Sequence, residues 1–283
     1  MNNMTTQFAS RILLNIGAFA ILALAPQFLK AQAAPDRVTV TLSDPGRPAF
    51  VRASLVNGGI TVKAGDGKEI VVEARVRGRE RSEAASGGMR RLSMSSTGLT
   101  VEEENNHVRV STDSFQRTID LTITVPRQTS LHLRATNDGD ISVSGVEGEF
   151  DVNNTNGEVT LSNISGSVIA HALNGRVLVT FQRVSQKPMA FSSLNGNIDV
   201  TFPADLKANI SIRSDNGDIF SDFDVQIQAG GSQPIVEDNR SSKGKFRVKI
   251  DKTVRGTIGG GGPEIQFTNF QGNTYIRKAG APP

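Results

Sequence analysis

Residues 138–179 read DGDISVSGVEGEFDVNNTNGEVTLSNISGSVIAHALNGRVLV, and a glycine returns in this stretch at every ninth position. The repeating glycines are Gly139, Gly148, Gly157, Gly166 and Gly175. Each is followed by an x-apolar-x-apolar pattern, which is the alternation of a short strand with one buried face. A turn and a strand that repeat at constant pitch predict a chain that stacks on itself as a parallel β-solenoid.

Two turn types alternate within this repeat. One type has the pattern apolar-x-Gly and occurs at residues 146–148 and 164–166. The other type has Asn or Asp directly before glycine, at Asp138-Gly139, Asn156-Gly157, Asn174-Gly175, Asn195-Gly196 and Asn216-Gly217. Successive turns of this Asn/Asp-Gly type are 18, 18, 21 and 21 residues apart. We therefore predict an all-β fold with coils of 18–21 residues, and the general bias of parallel β connections favours a right-handed coil.

Stacking of the coils would place the turn residues in a ladder. Adjacent strands lie about 4.8 Å apart, so each Asn amide could donate a hydrogen bond to the side-chain carbonyl of the next. Asn also tolerates the left-handed backbone conformation that a corner needs. We predict a structural turn ladder, and a strip that faces carbohydrate is the alternative. Its members are Asp138, Asn156, Asn174, Asn195 and Asn216, with Gly139, Gly157, Gly175, Gly196 and Gly217 beside them.

An antiparallel meander competes with the solenoid. Asn-Gly is a strong signal for a two-residue hairpin, and hairpin strands would pair across each turn. Hairpins do not require the same spacing over successive units, however. The constant pitch therefore favours parallel stacking.

The composition excludes several classes of function. Cysteine is absent, which removes disulfides, thiolate metal sites and thiol nucleophiles. The three histidines are dispersed in the sequence, so we predict no metal cluster. Basic residues are scattered, and one Tyr with no Trp leaves few platforms for base stacking, so we expect no nucleic-acid binding. We predict no catalytic residue, no cofactor and no enzymatic activity.

Residues 1–33 have the pattern of an export signal. Arg11 precedes an apolar run from Ile12 to Ala25, and Ala31-Gln32-Ala33 offers the small residues that signal peptidase recognises. This run is shorter than the ~20 residues that a membrane-spanning helix needs, and no second run follows it. We therefore predict an exported protein, in the periplasm or at the cell surface, with no transmembrane segment in the mature chain. An uncleaved anchor is the alternative.

Less regular segments flank the repeat. We expect residues 34–125 to form N-terminal coils of the same domain as the regular solenoid at 126–278, with a disordered tail at 279–283. Two segments interrupt the pattern, at 77–88 and 226–245. Both are Gly- or Ser-containing and charged, which indicates exposed loops that could hold a specific function. The strands after the second loop are expected to form the terminal coil.

The stretch from Leu121 to Phe223 resembles the bacterial DUF4097 family of adhesin-like proteins and the related head-domain adhesins. The segments that carry the resemblance are Val125-Pro126-Arg127, Leu131–Arg134, Asp138-Gly139-Asp140-Ile141, the Asn-Gly turns, and Gly261-Gly262, Ile265-Gln266-Phe267 and Gly272-Asn273 near the end. The resemblance implies a non-enzymatic β-solenoid of the cell envelope. We predict an adhesin-like or scaffold module whose partner is an envelope or extracellular protein or glycan, with self-association left open. It carries over no catalytic residue, because the pattern consists of turn and core residues.

Two other functions remain open at this point. Asp215/Asp218 and Asp222/Asp224 could line an edge with the oxygen ligands that calcium prefers, which would indicate a calcium-stabilised β-roll. Asp199, Asp218 and Arg213 could converge outside the core, as in a polysaccharide-processing β-helix enzyme.

Overall fold

The computed structural model describes residues 35–77, 96–113, 116–228, 234–239, 245–250 and 253–280. The described residues contain strands and turns and no helix. The strands are β1 (Asp36–Thr41), β2 (Ala49–Asn57), β3 (Ile60–Gly65), β4 (Glu69–Arg77), β5 (Leu99–Glu104), β6 (His107–Thr112), β7 (Thr118–Pro126), β8 (Thr129–Asn137), β9 (Ile141–Ser144), β10 (Glu147–Asn154), β11 (Val159–Ala172), β12 (Val177–Val184), β13 (Met189–Asn195), β14 (Ile198–Phe202), β15 (Ala208–Asn216), β16 (Ile219–Ser221), β17 (Gln226–Ile227), β18 (Pro234–Asn239), β19 (Lys245–Ile250), β20 (Thr253–Ile258), β21 (Glu264–Gln271) and β22 (Thr274–Lys278).

The strands form because apolar and polar residues alternate along them. In β7, Ile119, Leu121, Ile123 and Val125 are buried and the residues between them are half-buried. Successive side chains of a strand point to opposite faces, so such a strand buries one face. The inward side chains of nearly every strand join one continuous apolar core.

The strands lie in two rows, which we call row A and row B. Row A has the spatial order β1-β4-β7-β3-β9-β11-β12-β14-β22-β16. Row B has the order β5-β6-β2-β8-β10-β11-β13-β21-β15-β20-β17. Strand β11 belongs to both rows, since its first half pairs with β9 and β12 and its second half with β10 and β13. The register shift after Leu161, next to Asn163 with φ of 53°, marks the bend between the halves.

Pairing in the middle of both rows is parallel. Val159 is in register with Ile141 on one side and with Val177 on the other. A meander of hairpins would pair these strands antiparallel, so that alternative is wrong for the central strands. The all-β, solenoid-like part of the sequence prediction is confirmed.

The order of strands in space differs from their order in the chain. Strands β21 and β22 lie between β13/β14 and β15/β16 instead of forming the terminal coil. Strands β2 and β3 likewise lie between β6/β7 and β8/β9. The expectation of a C-terminal coil at the end of the stack was therefore wrong. The spacing between turns in the sequence gives the number of residues in each coil. It does not indicate which coils are neighbours in space.

Antiparallel strands cover the ends of the parallel stack. Strands β4 and β1 extend row A at one end, and β20 and β17 extend row B at the other. Strand β5 closes the other end of row B in the same way. Open strand edges expose unpaired backbone groups, and these strands pair with the last parallel strands.

The apolar-x-Gly pattern at residues 146–148 and 164–166 does not form a separate turn. Gly148 lies inside β10 and Gly166 inside β11, at the corner where the chain passes from row A to row B. A Cβ on Gly166 would overlap the carbonyl oxygen of Gly148, and one on Gly148 would overlap that of Thr129. These glycines therefore permit close backbone approach at the corner.

Four sequence predictions concern residues that the structure does not describe or describes only in part, among them the tail predicted at 279–283, of which 281–283 lie outside the described residues. The export signal at 1–33 and most of the 77–88 loop lie outside the described residues. The 226–245 loop is described only at 226–228, 234–239 and Lys245, where β18 and β19 pair antiparallel. The described residues include no helix that is long and apolar enough to cross a membrane.

Candidate functional site

The Asn-Gly turns form one edge of the molecule, which we call the turn edge. Asn195 Nδ2 donates to Asn174 Oδ1 at 2.7 Å, and Asn174 Nδ2 donates to Asn156 Oδ1 at 2.8 Å. Asn156 Nδ2 donates to Asn137 Oδ1 at 2.9 Å, and Asn137 Nδ2 reaches Asn57 Oδ1 at 3.3 Å. The side chains thus form a ladder along the stack, with every amide donating in the same direction.

Two predicted members of the ladder lie elsewhere. Asn137 takes the place that was predicted for Asp138, because this turn has one extra residue. Asp138 occupies it in the left-handed conformation, with φ of 59°. Asn216 is separated from Asn195 by Gln271, which lies in register with both. Insertion of β21 therefore interrupts the asparagine ladder.

The glycines of the turn edge stack as well. A Cβ on Gly157 would overlap the carbonyl oxygen of Gly139, one on Gly175 that of Gly157, and one on Gly196 that of Gly175. Gly217 contacts Gly272 in the same way, and Gly272 contacts Gly196. The predicted glycines therefore line one column, to which the inserted Gly272 adds a member. Their spacing leaves no room for a side chain.

A second set of side chains links each turn to the next through the backbone. Asp140 Oδ1 accepts from the Glu158 backbone N–H at 2.8 Å, and Asn197 Oδ1 accepts from that of Asn273 at 2.9 Å. Asn273 Oδ1 accepts from the Asp218 backbone N–H at 2.9 Å. These residues directly follow the turn glycines, so this position also binds coil to coil.

A third set lies beneath the turns and was not predicted from the sequence. Asn154 and Asn269 are 1% exposed. Asn154 Nδ2 donates to the carbonyl oxygens of Gly139 and Glu158, at 3.0 and 3.1 Å. Asn269 Nδ2 contacts three turn carbonyls, and Ser193 Oγ donates to the carbonyl of Gly175 at 2.9 Å. The sequence contains one signal for these buried polar residues. Each lies two positions before the outermost turn residue, where the strand alternation predicts a buried apolar side chain.

Replacing Asn174 with alanine is expected to lower the free energy of unfolding by about 1–2 kcal/mol. The change removes two side-chain hydrogen bonds, each worth about 0.5–1.5 kcal/mol, in a solvent-exposed setting. Asn216→Ala is the matched control, because the side chain of Asn216 makes no hydrogen bond within the described part of the chain. Urea denaturation measures both. Equal effects of the two substitutions would show that the ladder does not stabilise the fold.

An open depression of about 500 Å³ lies at one end of the turn edge. Arg77 borders it, pairs with Asp120 and donates to the carbonyl oxygen of Asp138. The hydrogen bond to Asp120 raises the pKa of Arg77, and the negative charges of Asp120, Asp138 and Asp140 add to the shift, whereas burial opposes it. Arg77 and Asp120 are thus engaged with each other, and the carboxylates of Asp120 and Asp140 also accept from backbone N–H groups.

The residues proposed for polysaccharide hydrolysis do not converge. Asp199 lies on β14 in row A and accepts from Arg277 Nε at 2.8 and 3.0 Å. Arg213 lies on β15 in row B and contacts Asp215 at 3.4 Å. Asp218 follows the turn glycine, where its N–H is bound by Asn273. The apolar alternation in the sequence indicated that Asp199 and Arg213 point outward from their strands. It could not indicate that the two strands belong to different rows.

The residues proposed for calcium are also dispersed among other contacts. Asp222 Oδ2 accepts from the backbone N–H of Lys278 at 3.2 Å, and Asp215 contacts Arg213. Among the described residues, no group of three or more His, Asp or Glu is placed to hold a metal ion.

Residues 131–258 match the family model of Toastrack DUF4097, which confirms the resemblance predicted from the sequence. No curated protein matches the chain. Among solved structures, a candidate cell adhesion protein of Clostridium sporogenes has a TM-score of 0.44 at 10% identity, covering 86% of this chain and 99% of that one.

Two further solved structures are similar. A candidate adhesin of Bacteroides fragilis has a TM-score of 0.35 at 13% identity, and the match covers 87% of this chain and 97% of the other. A candidate lipid binding protein of Parabacteroides distasonis has a TM-score of 0.25 at 8% identity, with 88% and 96% covered.

Proposed function

We propose, from the match of residues 131–258 to the Toastrack DUF4097 family, that this protein is a non-enzymatic binding module of the cell envelope. The observation that carries the proposal is the pair of long strand rows, whose outward faces are broad and regular. Surfaces of this kind suit contact with an extended macromolecule better than enclosure of a small substrate. The turn edge stabilises the stack that presents these faces.

Export and coil geometry belong to the same proposal. Residues 1–33 would direct the chain to the periplasm or cell surface and be removed there. The coils would be right-handed with 18–21 residues, since the ladder partners Asn156 and Asn174 are 18 residues apart and Asn174 and Asn195 are 21 apart. The loops at 77–88 and 226–245 could add contacts to a partner.

The proposal predicts saturable binding to envelope or extracellular material. The full chain is produced in a bacterial host, and fractionation with N-terminal sequencing is expected to find it outside the cytoplasm, beginning at Ala34. The purified, fluorescently labelled protein is then titrated onto intact cells, isolated envelopes and an extracellular-matrix preparation. We expect saturable binding to at least one of them.

A variant lacking residues 78–88 separates the loop from the sheet faces. Unchanged binding by this variant would assign the contact to the rows of strands. Absence of saturable binding to all three preparations would contradict the proposed function, as would a protein that stays in the cytoplasm.

A further inference from the structure

The outward positions of row A carry an array of hydroxyl side chains, which we call the hydroxyl face. Within it, Thr122, Thr61, Ser142 and Thr160 are neighbours in register across four parallel strands. Two residues further along each strand, a second line of side chains runs parallel to the first. The hydroxyl face consists of Thr61, Thr122, Thr124, Ser142, Ser144, Thr160, Ser162, Thr180 and Thr201.

The hydroxyls of this face have no partner inside the described part of the protein. Each of these residues is half-buried, and none makes a side-chain hydrogen bond with another described residue. A hydroxyl can donate one hydrogen bond and accept two. The face therefore presents a set of donors and acceptors that only water or an external molecule can satisfy.

The array is rigid and regularly spaced. Neighbouring strands lie about 4.8 Å apart, and alternate residues of one strand lie about 6.7 Å apart. From β7 to β14 the face thus extends about 24 Å across the strands. Threonine is β-branched and stiff at χ1, so its hydroxyl is held in place before any ligand arrives.

The hydroxyl face is close to electrically neutral. The ion pair Arg37–Glu73 lies at one end of row A, and Asp199–Arg277 lies at the other, with distances of 3.2 and 2.8 Å. Lys63 is a charged residue within the array, and Leu178, 40% exposed, takes the outward position beside Thr160. The ion pairs Arg77–Asp120 and Arg176–Glu158 border the array at the turn edge. An anionic polymer would contact one cation within the array. Contact with a neutral partner would remove few charged groups from water, so its desolvation cost would be small.

Row B shows that outward strand positions in this fold do not require hydroxyls. Its outward face carries Arg52, His132, Asp151 and Arg134, with His132 Nδ1 2.9 Å from Asp151 Oδ2. Threonine is favoured in strands generally, but that preference applies equally to both rows. Row B also carries outward hydroxyls, among them Ser130, Thr136 and Thr268, but charged side chains lie between them. The uninterrupted line of hydroxyls across four strands is a property of row A.

We propose that the hydroxyl face binds a neutral polysaccharide, whose chain lies across the strands of row A. A polymer of uncharged sugars repeats hydroxyl groups along its length and can exchange hydrogen bonds with successive strands. An apolar partner would leave the hydroxyls buried without hydrogen bonds, which is unfavourable. The inference rests on the proposed function, since it names the class of macromolecule that one sheet face contacts.

The test uses a variant that removes hydroxyls and keeps the shape of the face. Thr160→Val, Ser162→Ala and Thr180→Val are combined in the full chain, and Thr136→Val with Thr268→Val on row B is the matched control. Affinity electrophoresis and calorimetry measure binding to a soluble β-glucan, an α-glucan and a mannan, with alginate as the anionic counterpart. Thermal unfolding checks that both variants are folded, and we expect little change because none of these hydroxyls is hydrogen-bonded within the described residues.

We expect the unsubstituted protein to bind at least one neutral polysaccharide and to bind alginate more weakly. The row A variant should bind at least tenfold more weakly, and the row B variant should bind as the parent does. The proposal is overturned if no neutral polysaccharide binds, if alginate binds best, or if the row A variant retains full affinity. Where the protein still binds cells or envelopes in these cases, the proposed function stands and only the hydroxyl face is excluded.

Discussion

Replacing Gly175 with alanine is expected to lower the free energy of unfolding by about 3 kcal/mol or more, or to prevent folding. The new Cβ would overlap the carbonyl oxygen of Gly157 on the adjacent coil. Overpacking a well-packed site typically costs about 1–3 kcal/mol, and the obstructing atom here belongs to the backbone. Relief would require the two coils to separate, which would stretch the hydrogen bond from the Asn174 side chain to Asn156.

Gly67→Ala provides the control for this prediction. Gly67 lies in the turn between β3 and β4, and a Cβ there would come no closer than 3.9 Å to the backbone nitrogen of Glu69. Its substitution should change stability by no more than about 0.5 kcal/mol. Midpoints of urea unfolding, compared at equal m-values, measure both variants. Similar midpoints for Gly175→Ala and the parent would refute the close-packed glycine column.

The glycine column also explains how much of the fold was predictable. A glycine is needed wherever neighbouring turns approach too closely for a Cβ, so the period of Gly157 and Gly175 reports the stacking directly. The strands follow from the alternation of apolar residues between these turns. Parallel, solenoid-like stacking could therefore be inferred from local sequence alone.

Contacts between distant segments could not be inferred in the same way. Gln271-Gly272 has the turn chemistry of the repeat, but the sequence does not indicate that it lies between Asn195 and Asn216. The prediction that Asp138 belongs to the ladder was wrong for a local reason. An extra residue in one turn moved Asn137, and not Asp138, onto the ladder. Spacing measured from glycine misses such an insertion.

The candidate site was predicted in part. Asn156, Asn174 and Asn195 were expected at the turn edge and lie there, with Asn174 hydrogen-bonded to each of the other two. Asn154 was not expected, because a buried polar side chain breaks the alternation that identifies a strand. Its side chain donates to the turn carbonyl of Gly139 and adds a second hydrogen bond to that of Glu158, which also accepts from the Ile141 N–H. Such a residue becomes interpretable only when the neighbouring coil is known.

Phe267→Ala is expected to lower the free energy of unfolding by about 3–5 kcal/mol, the usual range for truncating a buried phenylalanine. Phe267 is 1% exposed and stacks on Phe191 with ring centroids 5.3 Å apart. Phe191 in turn contacts Phe181 and Phe202 edge-on, at 6.4 and 6.2 Å. Phe267 is thus the side chain through which the inserted strand β21 joins the aromatic cluster of the core.

Phe270→Ala is the matched control, because Phe270 lies on the same strand with 43% of its side chain exposed. That substitution should cost well under half as much, since little apolar area leaves the core. Far-UV circular dichroism and urea unfolding, together with limited proteolysis, distinguish local from global effects. If β21 is an integral part of the stack, Phe267→Ala should destabilise the whole domain in one transition, because its removal weakens contacts on both sides. Release of a C-terminal fragment from an otherwise stable domain would contradict this, and would show that the strands on either side can hold together without the inserted one.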